Sequence, residues 1–514
     1  MLQVAAIPTE RKTIDGQNAS LQSKAMQANV FLEGNFAPIK AELTLSSPKD
    51  FVIKGTIPRD LHGSFYRNGP NPAQNVPDNH HWFFGDGMVH LFHFNRGAVS
   101  YRNAWARTPT FNIEQRSRKS LFLGPGLALL ANAQLVGTEV CSLVGGLLRH
   151  GNADTYTRLI SKANTAILPF RDHVYALVES SPPLRLSAGS LETEAFENFG
   201  SNFIAPFTAH PKVDPQTGYL YGFGYRVFGK PRLEYYVINP SGRLVSRTAI
   251  DIPYASMVHD FAITRNYALL PVFPAVSSLT AIRRGRIAEW QPEKPSLLYL
   301  LQRSGQKENL RCFELPARYI YHYANAYEDA GAVILDGFFY ENLPLMGSDA
   351  EIREELFAGT NPGSFSRFRL DLETGKVEQQ TLWQEGFAEF PVIDNRLIGE
   401  KYEHVYAALR RPGCKSTEGI FDSQVTFHIQ KGKLRSEVTP LPPGHFGGEP
   451  VFVPTGKPGQ NKGYLLNIIY DSHAKNSYLG IFDAAKPDKR ALCEVHLPHR
   501  IPYGFHGAWR SGRS

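Results

Sequence analysis

Four histidines lie far apart in the sequence, each in a short apolar or aromatic setting: His210 in PFTAHPKVDP, His259 in SMVHDFAITRNY, His322 in YIYHYANAYED and His506 in PYGFHGAWR. No two are close enough to share one helix face. If they meet at a single metal, the fold must bring the chain back to the same point again and again. Taken singly, a histidine beside an apolar strand is more often a hydrogen-bonded core residue. As a set, these four constrain the architecture more than any other feature.

The intervening chain has a rhythm that suits such a fold. Turn signals of one kind recur at 214–218 (DPQTG), 239–242 (NPSG), 371–375 (DLETG) and 431–433 (KGK), each between β-rich runs, and each reads as a hairpin. Apolar residues make up 42% of the 514, and aromatics 12%, enough for one large closed core. Short strands at regular spacing predict an all-β propeller, whose repetition leaves few open edges. No WD-type repeat marks the blades. The best helical pattern, ENLPLMGSDAEIREELFAG, reads as an insertion. Residues 1–30 read as a flexible tail, and 31–514 as a single catalytic domain.

The net charge of +7 is mild for this length; it suggests a basic surface suited to anionic headgroups, and no nucleic-acid partner is expected. Cys141, Cys312, Cys414 and Cys493 form no close pair, so free thiols in a reducing compartment are expected. The opening MLQVAAIPTERK lacks the basic region of a secretory signal, and the expected location is cytoplasmic. One apolar stretch, 121–148, carries a single formal charge at Glu139 but is broken by Pro125, several glycines, Asn132 and Gln134, so it is a poor spanning helix. It reads either as a buried crossover or as a patch dipping into one leaflet, with Arg116, Arg118, Lys119, Arg149 and His150 beside it.

Four imidazoles without a carboxylate leave a divalent ion its full charge and, in an octahedral preference, two open positions. That suits ferrous iron, Fe(2+), binding O2 beside a substrate better than it suits hydrolytic zinc. Metal-bound histidines normally donate their other N–H to a carboxylate. Glu179 in YALVES, Glu389 in FAEFPVID and Glu449 in GGEPVFVP lie in apolar runs where an unpaired carboxylate is costly. Each is a candidate for that role; the alternative is an ion pair to a neighbouring Arg or Lys.

The blocks GNFAPI, GSFYRNGPNP, GDGMVH, ANT, AHPKVDPQTG, HDFAIT, HYANAYED, EFPVID, GEPVFVP and HGAW together resemble the carotenoid cleavage oxygenases, from about residue 31 to 512. The resemblance implies a seven-bladed β-propeller with a helical and loop cap over an iron-containing axial site. It implies His210, His259, His322 and His506 as iron ligands and Glu179, Glu389 and Glu449 one shell out. Thr165 of the ANT motif resembles the residue that crowds an open iron position in some relatives. The chain departs from the family where Phe84 replaces an acidic residue before Gly85-Asp86-Gly87-Met88. The remaining histidines, among them His80, His81, His90, His93 and His173, match no ligand motif and are assigned to surface or packing roles.

The resemblance further implies a dioxygenase that splits a C=C bond with O2 into two carbonyl products. No nicotinamide or flavin is needed, and no glycine-rich dinucleotide signature is present. Two substrate classes remain open: a carotenoid or apocarotenoid polyene, favoured here, or a phenylpropenoid or stilbene aryl-alkene. The second needs phenol-recognising groups, for which Trp105 and Lys162 are the candidates. Membrane-surface association through 121–148 belongs with the first. A non-enzymatic binding propeller and a double-bond isomerase are further readings; the first of these predicts a missing ligand histidine.

Overall fold

Seven times along the chain, antiparallel strands assemble into a sheet and the chain then moves on to the next. The structure, a computed structural model, describes residues 29–78, 80–120, 160–201, 205–226, 230–278, 280–281, 286–430, 432–486 and 490–512. The result is a seven-bladed β-propeller. Blades 2 to 6 are four-stranded meanders that begin at Ala166–Phe170, Lys212–Val213, Ala262–Ile263, Tyr319–Asp329 and Phe387–Val392. These first strands line the axis; those of blades 4, 5 and 6 pack against one another in turn, as do those of blades 7, 1 and 2. The expected hairpins form: the DLETG turn joins Ser364–Asp371 to Val377–Trp383, and the NPSG turn joins Arg232–Ile238 to Leu244–Asp251.

The ring closes by a double exchange. Gly507–Ser511, from the end of the described chain, is the axial strand of blade 1 and pairs with Gly63–Pro70. Val52–Gly55, from near its start, is the outermost strand of blade 7 and pairs with Cys493–His496. The remainder of blade 7 is built on Val451–Pro454, Gly463–Asp471 and Asn476–Asp483.

Burial follows position in the blade. Ala332–Tyr340, the second strand of blade 5, is buried at every residue, whereas the outer strand Lys433–Pro440 alternates towards solvent. Strands packed on both faces read as continuous apolar runs, and strands packed on one face alternate. The apolar core is therefore a set of slabs between blades, such as Phe65, Phe92, Leu466, Leu479 and Ile481 between blades 1 and 7. Each fully buried Phe or Leu there contributes roughly 1.5–3 kcal/mol.

Two helical pieces among the described residues stand out from the blades. Asp349–Arg353, continued by a wider turn over Glu354–Ala358, lies within the expected insertion, in blade 5. The other, Pro109–Ser117, was not read from the sequence; Thr108 caps it through Phe111 N, and Pro109 opens its first turn. Ile352 and Leu356 join Val30, Phe31, Trp82, Tyr503 and Phe505 in an aromatic-rich cluster that caps the axis beside His506. The packed chain begins before residue 31: Val30 is buried in this cluster, and Asn29 Nδ2 donates to the carbonyls of Asp78 and His80. Phe84 ends a short turn over Trp82–Phe84, and its ring lies 5.7 Å from that of His81, so the loop packs without the acidic residue. The 121–148 stretch, with Arg149 and His150, lies outside the described residues.

Candidate metal centre

Each blade contributes a residue at the same end of its axial strand, and blade 2 adds Glu179, just after its second strand His173–Leu177. Thr165 precedes the first strand of blade 2, His210 that of blade 3 and His259 that of blade 4. His322 lies within that of blade 5 and Glu389 within that of blade 6. Glu449 precedes Val451–Pro454 of blade 7, and His506 precedes Gly507–Ser511 of blade 1. The wide sequence gaps between the histidines are thus the lengths of whole blades.

Local devices aim the rings. Thr208 Oγ1 accepts from the His210 N–H at 2.9 Å. Around His322 the pairing with the next strand breaks register on both sides of Tyr323, and the bulge re-aims the side chain. Gly337 opposite allows it: a Cβ there would sit 2.9 Å from the His322 carbonyl. The His506 N–H donates to the Thr165 carbonyl at 3.3 Å, and Asn68 N donates to the His506 carbonyl at 3.0 Å.

The four Nε2 atoms converge. His210 to His259 is 3.0 Å, His259 to His322 is 3.2 Å and His322 to His506 is 3.2 Å. One ligand atom from each of the four lies within 4.8 Å of the others. Three rings are backed by carboxylates at Nδ1. His322 Nδ1 donates to Glu389 Oε2 at 2.6 Å, His506 Nδ1 to Glu449 Oε1 at 2.8 Å, and His259 Nδ1 to Glu179 Oε1. With Nδ1 protonated in this way, each Nε2 turns a lone pair inwards. Lone pairs packed this closely repel unless a cation lies among them, so the donor set fits a metal ion, and its all-imidazole chemistry fits iron, zinc or copper.

The electrostatics agree. Burial, then the neighbouring imidazoles, holds His210 and His506 well below the usual histidine range, leaving both neutral. Burial also pulls His259 down, but the Glu179 carboxylate outweighs it and the net shift is upwards. Burial raises Glu449 to about 7 against the opposing charge of Arg67, whose Nη1 lies 3.7 Å from Glu449 Oε2. For Glu449, then, the imidazole contact and the arginine ion pair both hold. Arg67 went unnoticed in the sequence; its signal was a charge inside the aromatic run GSFYRNGP. Asp260, beside His259, was also missed.

Thr165 lies next to the ligand set, its Oγ1 donating to Asn164 Oδ1 at 3.1 Å. Lys162 is buried, with Nζ 2.8 Å from both Asp86 Oδ1 and Glu114 Oε2. Trp105 Nε1 donates to the Asn71 carbonyl at 2.9 Å. His80 and His90 are buried away from the four, and His93 is exposed.

A sequence profile for the family described as Retinal pigment epithelial membrane protein matches residues 36–511. The chain belongs to this family, the carotenoid cleavage oxygenases. Within the family it is 30% identical to a carotenoid 9,10(9',10')-cleavage dioxygenase of Pisum sativum, over 93% of this chain and 89% of the relative. It is equally 30% identical to an isoeugenol monooxygenase of Pseudomonas putida, over 93% of this chain and 98% of the relative. The crystal structure of a Pseudomonas brassicacearum lignostilbene dioxygenase superposes with a TM-score of 0.81 at 27% identity, covering 94% of this chain and 98% of that one. The carotenoid cleavage oxygenase family thus supplies relatives from both substrate classes.

Proposed function

We propose that the chain is a ferrous dioxygenase that cleaves one C=C bond of a carotenoid or apocarotenoid with O2. The observation that carries this is the convergence of four Nε2 atoms, three of them on rings oriented by carboxylates. His210, His259, His322 and His506 would hold the ion, and Glu179, Glu389 and Glu449 would fix the tautomers of three of these ligands. When bound, iron would supply the activation of O2 towards the electrons of the alkene. The stoichiometry closes without a reductant: the double bond and O2 become two carbonyl groups, each carrying one oxygen atom. Phe390, held at φ 59° after Glu389, sets its ring 5.3 Å from those of both His322 and His506 and keeps water from that side. Thr165 would narrow the space beside the ligands.

An aryl-alkene is the second reading, favoured by the isoeugenol and lignostilbene relatives. Against it, the Lys162 amine that was to meet a phenolate is already engaged by two buried carboxylates, and the Trp105 N–H by a carbonyl. A polyene asks for neither group. A polyene must also be drawn from lipid, and the reading includes membrane-surface docking through 121–148. No helix among the described residues is long and apolar enough to cross a membrane.

The test is product analysis. Iron-loaded protein incubated with an apocarotenoid and with a stilbene should yield two carbonyl fragments from the first at the higher kcat/KM. The His322→Ala variant should yield none and lose its iron. Preferential cleavage of the stilbene would overturn the substrate assignment; full iron and full activity in His322→Ala would overturn the site.

A further inference from the structure

The three ligand histidines of blades 3, 4 and 5 share a contact that the imidazoles themselves do not make. Asp260, the residue after His259, is 2% exposed and carries three bonds on its carboxylate. Its Oδ1 lies 2.7 Å from Nζ of Lys212, two residues after His210 on the axial strand of blade 3. The same oxygen accepts from Phe261 N at 2.7 Å within blade 4. Its Oδ2 accepts from Tyr323 N at 3.0 Å, and Tyr323 follows His322 on blade 5. One buried carboxylate thus ties together residues beside three ligands on three blades, through two backbone N–H groups and the Lys212 side-chain amine. The fourth ligand, His506, is held separately, through Thr165 and Glu449.

We infer that Asp260 is a positioning residue that fixes the mutual spacing of His210, His259 and His322. The inference rests on the metal-binding reading of the four histidines. Adjacent axial strands have no continuous hydrogen-bonded ladder between them, so their spacing depends on side chains. The bond to Tyr323 falls at the bulge, where register is broken on both sides and the strand most needs an external anchor. A carboxylate suits the place because it offers acceptors on both oxygens to a cation and two N–H groups. Asparagine fills the same volume but turns an NH2 towards one of these donors. Lys212 Nζ lies 5.8 Å above the Phe261 ring, which limits where its amine can go.

Cobalt(II) titration of the metal-free full chain tests this, with visible absorption reporting ligand geometry and urea unfolding of the apoprotein run in parallel. In the parent, one cobalt should bind. Asp260→Asn should weaken binding about 10–100-fold, the range typical of groups that orient ligands. It should also alter the cobalt spectrum, while the apoprotein still unfolds cooperatively in urea with a loss of stability smaller than the loss in cobalt binding. Lys212→Met should reproduce part of the loss, and Lys212→Arg should restore most of it. If Asp260→Asn does not fold, the Lys212 pair decides alone. Binding within twofold of the parent and an unchanged spectrum in Asp260→Asn, or in Lys212→Met, would overturn the inference. A loss matched by an equal loss of apoprotein stability would also overturn it. A parent that binds no cobalt refutes the metal reading itself, a distinct outcome.

Discussion

The three carboxylates behind the imidazoles are not held alike. Glu389 receives three donors: His322 Nδ1 at 2.6 Å, the Tyr340 hydroxyl at 2.8 Å and Phe390 N at 2.5 Å. Its side chain is 7% exposed, whereas that of Glu179 is 17% exposed and faces His259. An amide at 389 keeps one acceptor oxygen and aims an NH2 at a donor, and water cannot enter to repair the mismatch. Glu389→Gln should therefore raise the metal dissociation constant towards the hundredfold end of the usual range, and Glu179→Gln towards the tenfold end. Competitive metal titration of the two variants checks the order. The histidines and glutamates could be read from the sequence because each sits in an apolar run, where an unpaired polar group is too costly to keep. Asp260 and Arg67 could not. Their partners, Tyr323 and Glu449, lie 63 and 382 residues away, and nothing local marks those contacts.

Among the elements, the hairpins were legible because a turn of fixed chemistry recurs between alternating strands. The helix Pro109–Ser117 was not, although Thr108 and Pro109 are a fair starting signal. It is too short, and too polar on most of its surface, to show a 3.6-residue period. It leads towards 121–148, and Arg116, Arg118 and Lys119 at its end are exposed. If the stretch docks on lipid as proposed, burying several hundred Å2 of apolar surface at ~25 cal/mol per Å2 gives several kcal/mol, enough for reversible association. Replacing Leu127, Leu130 and Leu147 by Glu should then release the protein from anionic liposomes. It should also slow cleavage of membrane-held carotenoid more than that of a soluble apocarotenoid. If the same changes unfold the protein instead, the stretch is core. Flotation with liposomes and circular dichroism separate the two outcomes.

For the whole molecule, the decisive feature is the seam where blade 7 meets blade 1. The propeller could be expected from rhythm, and seven blades from the resemblance, but the double exchange of strands could not, because residues some 440 apart pair there. His90 Nδ1 and His499 Nε2 both bond the Tyr101 hydroxyl, at 2.8 and 3.1 Å, across this seam. Burial first, then neighbouring positive charge, lowers His90 to about 3; burial lowers His499 to about 4. Groups depressed in this way favour the folded state above their unfolded pKa near 6.5, and that advantage drains away as pH falls towards the folded values. At pH 5 each withdraws roughly 2 kcal/mol. The urea midpoint should drop between pH 7 and pH 5, and His499→Gln should show a visibly smaller drop; an equal drop would refute the assignment. The same seam orders the birth of the molecule. On the ribosome, His210, His259 and His322 emerge with the middle blades, but His506 follows only after blade 7 has been made. A nascent chain can offer three imidazoles but cannot complete the set until its two distant segments have been stitched together. If the four histidines hold a metal as proposed, its retention is a certificate of ring closure, and a chain cut short before residue 506 forfeits both at once.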